Sequence, residues 1–192
     1  MPLRTPDPPA EVVSVIEREL PEYLAASEIL AARGVEAVQP ALPHRIYSAT
    51  LEEAARGLAA DDLETVGWRF LLLAGEEAVA AVEVGDAGAI TQLEEGHFVG
   101  LTSRAVEAGE RLGETRSGDF EVRLVRIPAL FFLAVWLHGD DRDLLLPLDP
   151  EGGDGVSAAP TQFDDLTATL RDKAERKLRA YGEVGPDEIL AG

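Results

Sequence analysis

The chain contains no cysteine. This absence excludes disulfide bonds, zinc–thiolate centres, iron–sulfur clusters and thiol nucleophiles, and it is typical of proteins from a reducing compartment. Long apolar runs are also lacking: the longest, residues 127–137, contains Pro128 and falls well short of the ~20 residues that a helix needs to cross a bilayer. Residues 1–9 carry four prolines and no apolar stretch, so we expect a disordered arm and not a signal peptide. The sequence therefore predicts a cytoplasmic protein with no membrane segment.

Positive charge is scarce. Seventeen lysines and arginines stand against 36 acidic residues, which leaves a formal net charge of -19. A surface of this sign repels nucleic-acid phosphates and anionic lipid, so we expect neither nucleic acid nor membrane as a partner. Such charge chiefly confers solubility; an acidic face for a basic partner and imitation of DNA are the alternatives. Lysine occurs only at Lys173 and Lys177 while arginine predominates, a bacterial-like bias typical of GC-rich coding sequences.

The motifs of common enzyme classes are missing. The three histidines, His44, His97 and His138, are too far apart in sequence to form the paired zinc ligands of a helix. No nucleophile elbow, phosphate-binding loop or dinucleotide-binding glycine pattern occurs. We therefore predict no catalytic residues, no metal and no cofactor, although a triad scattered along the chain would escape this reasoning.

Three short clusters carry polar groups that could do chemistry. Residues 138–143 place acidic side chains beside His138, and residues 94–97 place two glutamates before His97. Ordinary structure explains both, since polar residues fill hairpin turns and acidic residues stabilise helix N-termini. Residues 149–160 superficially resemble a calcium-binding loop, but glycine occupies its fifth position and proline its twelfth.

Helical signals dominate the N-terminal part of the chain. Apolar residues at helical spacing predict one helix over residues 12–20 and a second over 21–33, which together form a helical extension over 10–34. Residues 35–49 contain two prolines and are interpreted as a crossing loop. Thr50 with Glu53 three residues later forms a capping-box signature that begins a third helix.

From residue 67 the pattern becomes that of strands. The segments predicted to be strands are the hairpin 68–84, a short third strand 89–93, and 120–127, 130–137 and 144–148; helices are predicted over 97–112 and 163–181, with a mobile loop over 149–162. The sequence thus predicts a single α+β domain over residues 10–192. It comprises an antiparallel sheet of about five to six strands, packed with helices and preceded by the helical extension.

Large aromatic residues lie on these strands. Residues 130–137 are apolar at every position, so we expect a central strand that is covered on both faces. Trp68 and Phe70 share one parity, as do Phe132 and Trp136, which is typical of core packing beneath helices and would also suit an uncovered face that binds another protein or a second copy. The candidate binding residues are Trp68, Phe70, Phe132, Trp136 and His138.

Two functional hypotheses follow. The order of elements is similar to that of type III secretion chaperones and of roadblock or longin-like modules, which work by binding, but no sequence motif is shared. The first hypothesis is a non-enzymatic protein–protein interaction module, such as a chaperone, immunity-type or regulatory protein, whose partner is another protein or itself in a homodimer. The alternative is a small-molecule-binding domain or enzyme with a pocket between sheet and helices, anchored by His138 or His97.

Overall fold

A computed structural model describes residues 3–32, 37–115, 119–148 and 160–183. Within these residues, eight strands form one sheet: β1 (Gln39–Ser48), β2 (Glu64–Ala74), β3 (Glu77–Gly85), β4 (Ala89–Glu95), β5 (Glu121–Ile127), β6 (Phe132–His138), β7 (Asp143–Pro147) and β8 (Thr161–Gln162). The described helices are α1 (Ala10–Ala26), α2 (Glu28–Ala32), α3 (Leu51–Arg56), α4 (His97–Thr115) and α5 (Phe163–Glu183). The predicted α+β class is confirmed, with more strands than the five to six expected.

The order of strands in the sheet is β4-β3-β2-β1-β5-β6-β7-β8. Neighbours are antiparallel except β1 and β5, which are parallel because α4 carries the chain back across the sheet. The loop predicted over residues 35–49 is therefore wrong for residues 39–48, which form the central strand β1. Pro43 is tolerated because the register with β2 shifts between Ala41 and His44, where Leu42 adopts a positive φ of 50°, and Pro40 precedes the part of β1 that pairs with β5.

Helices cover both faces of the sheet. On the front face, α1 packs on β2, β3 and β4, and α3 and α5 pack on β5 to β7. On the back face, α4 packs through Leu101 and Ala105 against Leu124 and Val135. Trp136 of β6 faces the front core and Val135 the back core, and both are buried. The central part of the segment predicted over 130–137 is thus covered on both sides.

Proline does not divide the first helix. The predicted break after residue 20 is wrong, because α1 continues through Pro21 to Ala26. Leu20 and Leu24, on either side of the proline, pack on the same cluster beneath the helix, and this burial outweighs one lost backbone hydrogen bond. The capping box that begins α3 forms as the sequence predicts, with Thr50 and Glu53 bonded to each other's backbone.

Two predicted irregular segments fall partly outside the described residues. In the predicted arm, residues 1–2 lie outside them, and Arg4 forms a bridge to β5 in which its N–H donates to the Phe120 carbonyl at 2.8 Å. Of the loop predicted over 149–162, residues 149–159 lie outside and residues 161–162 form β8. Among the described helices, none combines the length and the apolar character needed to cross a bilayer.

Gly67 is the glycine that the sheet requires most. It has a φ of 150°, and an added Cβ would lie 2.3 Å from the Val84 carbonyl oxygen, whereas Gly75 (φ 66°) meets nothing within 4 Å. We expect Gly67→Ala to lower the free energy of unfolding by roughly 2–4 kcal/mol, since strand backbone must move. Gly75→Ala should lower it by about 1 kcal/mol, because only the left-handed conformation is penalised. Urea denaturation measures both; equal losses would contradict the proposed close approach.

Candidate functional site

The structure buries most of the aromatic residues that the sequence singled out. Trp68 and Phe70 lie beneath α1, and Trp136 lies fully buried near α5. Phe132 and His138 are half-buried at the two ends of β6. Three of the five residues are thus core side chains that contact a partner only if a helix moves away, while the other two remain accessible.

A groove runs between α5 and the start of β6. It encloses about 510 Å³ and is open to solvent on one side. We call it the α5 groove; eight of its ten lining residues are apolar, and together they are Leu130, Phe131, Phe132, Leu133, Pro147, Leu148, Leu166, Thr169, Leu170 and Lys173. Of the predicted site residues, only Phe132 lines it.

Phe131 is the most unusual residue of the groove. The predicted strand over 130–137 begins at Phe132 instead, because a short 3₁₀ turn over Pro128–Leu130 precedes it and Phe131 leaves that turn with a φ of 52°. This left-handed conformation costs a bulky residue about 1–2 kcal/mol. The ring is nevertheless 93% exposed, so its burial does not offset the cost within this chain. Backbone strain of this kind is characteristic of binding sites.

Both lysines of the chain border the groove. Lys173 lines it, and Lys177 donates from Nζ to the Ala129 carbonyl at 2.6 Å. The Lys177 ammonium also lies 5.2 Å from the ring centroid of Phe131 and 5.7 Å from that of Tyr181, which is itself exposed. An apolar floor with positive charge at its rim therefore stands out on a chain of net charge -19.

His138 is held by the first residue of the neighbouring strand. One oxygen of Asp143, Oδ1, lies 2.7 Å from His138 Nδ1 and accepts a hydrogen bond from Trp136 Nε1 at 2.7 Å. This arrangement orients the imidazole and leaves its Nε2 without a hydrogen bond to the described residues. His97, by contrast, is exposed at the start of α4.

A buried group of charges, which the sequence analysis missed, lies on the back face. Arg69 and Glu83 are register partners on β2 and β3, are 2% and 3% exposed, and are joined by a 2.7 Å hydrogen bond. Arg126 bonds the second oxygen of Glu83 at 2.9 Å, and Glu94 bonds Arg69. The signal was a charged residue inside each apolar strand segment, but only the register shows that the two charges pair.

His44 lies next to this group of charges, as the register partner of Arg69. Its Nδ1–H donates to the Leu42 carbonyl at 2.7 Å, so Nε2 is the unprotonated nitrogen and has no partner among the described residues. Burial lowers the pKa of His44 to about 4, and the positive charge of Arg69 contributes to this shift. The imidazole is therefore neutral near pH 7.

Within the described residues, no group of three or more His, Asp or Glu side chains is placed to hold a metal ion.

Two substitutions of Phe131 separate the effect of its backbone strain on stability from the effect of its side chain. Phe131→Gly and Phe131→Ala both remove the exposed ring, but only glycine adopts a φ of 52° without steric cost. We expect the glycine variant to exceed the alanine variant in free energy of unfolding by about 1 kcal/mol. Urea denaturation of the pair tests this. Equal stabilities would show that residue 131 is not held in the left-handed conformation.

The pKa of His44 predicts a loss of stability on mild acidification. Because this pKa is lower in the folded chain than the ordinary value of 6.5, the unfolded chain binds more protons once the pH falls below that value. The His44 contribution is fully present above pH 6.5, and its loss should lower the free energy of unfolding by about 2 kcal/mol between pH 7 and pH 5. Denaturation at both pH values should show a smaller loss in His44→Gln. The exposed control His97→Gln should retain the wild-type loss; identical losses in both variants would contradict the assignment.

Known proteins offer no template for this chain. Comparisons with protein-family models, curated proteins and solved structures found no match. Function is therefore inferred from the chain's own contacts, charges and exposed surfaces.

Proposed function

We propose that this protein is a non-enzymatic protein–protein interaction module of the chaperone, immunity-type or regulatory kind, and that the α5 groove binds a segment of another protein. The observation that carries the proposal is Phe131, whose ring is 93% exposed at the rim of an apolar groove although the residue adopts a left-handed backbone conformation. The absence of cysteine supports a cytoplasmic setting for this activity.

The lining of the groove defines the apolar part of the partner segment. Leucines and Phe132 form the floor, and the exposed ring of Phe131 stands at the rim. Burial of an aromatic ring removes roughly 150–250 Å² from water, which makes such residues frequent binding hot spots. The partner segment should therefore place large apolar side chains on the floor and against this ring.

Charge defines the polar part of the segment. Lys173 is exposed and forms no ion pair with the described residues. Because acidic residues outnumber basic ones about two to one over the whole chain, most of the surface repels a carboxylate, and the two lysines attract one locally. We therefore assign to the groove an apolar segment that carries an aspartate or glutamate at the Lys173 side.

Addition of a partner strand at the β4 edge of the sheet is less favourable than binding in the α5 groove. At the β4 edge, the Tyr23 hydroxyl donates to the Ile90 carbonyl at 3.2 Å, and the Ile90 N–H donates to Glu19 at 3.1 Å. Side chains of α1 thus occupy backbone groups that an added strand would use. This protection favours the α5 groove over strand addition at β4.

Peptide selection tests the groove directly. Panning a phage-displayed random peptide library on the immobilised protein should enrich peptides that combine large apolar residues with Asp or Glu. Fluorescence anisotropy of a selected peptide should give an affinity that Lys173→Glu weakens about tenfold, the loss expected for reversing one close charge. Arg179→Glu makes the same charge change on the same helix outside the groove and should alter affinity less than about twofold. Equal effects of the two variants, or selected peptides without acidic residues, would contradict the proposal.

The molar mass of the protein in solution distinguishes self-association from binding of another protein. Light scattering over a range of concentrations should show a monomer for the wild type and for Phe131→Ser. A wild-type dimer that Phe131→Ser converts to a monomer would overturn the choice of another protein and make a second copy the occupant of the groove.

A further inference from the structure

Two arginines lie side by side on the front face. Arg45 of β1 and Arg123 of β5 are register partners in the one parallel pair of the described sheet, where neighbouring strands run about 4.8 Å apart. Like charges at directly opposed positions of adjacent strands destabilise a sheet. The Glu121 carboxylate, 2.7 Å from Arg123 Nε, neutralises one of the two charges, and the other remains for a further negative group to offset.

Stacking leaves the hydrogen-bond donors of both guanidinium groups available. The Cζ atom of Arg45 lies 4.7 Å from the ring centroid of Trp68. The Cζ atom of Arg123 lies 4.8 Å from the ring centroid of Trp136 and 5.1 Å from that of Tyr47. Contact with a ring uses the flat face of a guanidinium group, while its N–H groups point outward from the edge. The Arg45 side chain forms no ion pair or hydrogen bond with the described residues, and the Arg123 side chain uses only Nε, which donates to Glu121 at 2.7 Å.

The phenol of Tyr47 is affected by the charges of both Arg45 and Arg123. Its phenol lies on β1, two residues from Arg45. Burial raises the pKa of Tyr47; the positive charges of Arg123 and Arg45 act to lower it, and the negative charge of Glu121 acts to raise it. The charges of both guanidinium groups therefore act on this phenol, although the two groups contact different rings.

The helices leave this part of the face reachable from solvent. α1 packs chiefly on β3 and β4, and α5 chiefly on β7 and β8, while α3 lies in the core cluster of Tyr47 and Val125, beyond Arg45 and Arg123 along β1 and β5. Arg45 and Arg123 are both partly exposed. A small solute can therefore approach the two guanidinium groups without displacement of a helix.

We propose that Arg45 and Arg123 bind a small oxyanion, the carboxylate or phosphate group of a ligand, with the Tyr47 hydroxyl as a further donor. An oxyanion between the guanidinium groups removes their repulsion and accepts charge-assisted hydrogen bonds from their outward edges. The site is separate from the α5 groove and does not depend on the function assigned to that groove.

Titration followed by NMR tests the site with two probes. Inorganic phosphate and acetate are each added at constant ionic strength, balanced with sodium chloride, while the arginine Nε–Hε signals are recorded. We expect saturable shifts of the Arg45 and Arg123 signals with a dissociation constant in the millimolar range. Arg45→Gln should weaken binding about tenfold, whereas Arg104→Gln, an exposed residue of α4, should leave it unchanged within about twofold.

The two probes identify the ligand group. Saturation by phosphate alone assigns a phosphate ester, saturation by acetate alone assigns a carboxylate, and saturation by both assigns a general oxyanion site. Shifts that do not saturate, or equal affinity in Arg45→Gln and the wild type, would overturn the proposal. Should Arg45→Gln fail to fold, Arg45→Lys keeps the charge without the planar fork, and wild-type affinity in that variant would overturn it equally.

Discussion

Burial of Trp136 is the contact on which the front half of the structure depends. The centroid of its ring lies 4.9 Å from that of Tyr47 and 5.4 Å from that of Phe163, the first residue of α5. Its Nε1 donates a hydrogen bond to Asp143. One side chain thus joins strands β1, β6 and β7 to the C-terminal helix. Since buried aromatics contribute most to core stability, the position of α5, and with it the α5 groove, follows from this packing. The same ring supports Arg123 from below, so both surfaces assigned here rest on one core residue.

The back face combines apolar packing with buried charge. Arg69 and Glu83 lie within strands whose other buried residues are apolar, and each charge is desolvated. Such a pair contributes little net stability, because the cost of removing both ions from water offsets their attraction. Its physical consequence is specificity: a slip of one residue between β2 and β3 would separate Arg69 from Glu83 and break the hydrogen bond that joins these two buried charges. The register that places Trp68 and Phe70 beneath α1 is therefore protected by charges on the opposite face.

The two proposed sites share a chemical preference and differ in shape. At the α5 groove, positive charge borders a concave apolar surface, which suits a segment of another protein. At Arg45 and Arg123, positive charge lies over aromatic rings that are themselves buried, so only a small group reaches the donors. Both sites attract negative groups on a chain whose overall field repels them, which makes local placement of a few cations selective.

Local patterns were sufficient wherever neighbours in sequence decide the structure. The capping box at Thr50 and Glu53, the hairpin between β2 and β3 and the long C-terminal helix could all be predicted, because their periodicity and end signals lie within a few residues. Strand β1 was missed because Pro40 and Pro43 argue against a strand, and only the pairing with β2 and β5 shows that a bulge accommodates Pro43 and that Pro40 precedes the part paired with β5. The same holds for the candidate sites: the sequence named Phe132 and His138, but not Phe131, Arg45, Arg123 or the Arg69–Glu83 pair. Their roles arise from strand order and register, which bring together residues far apart in the chain, and short-range preferences carry no information about such contacts.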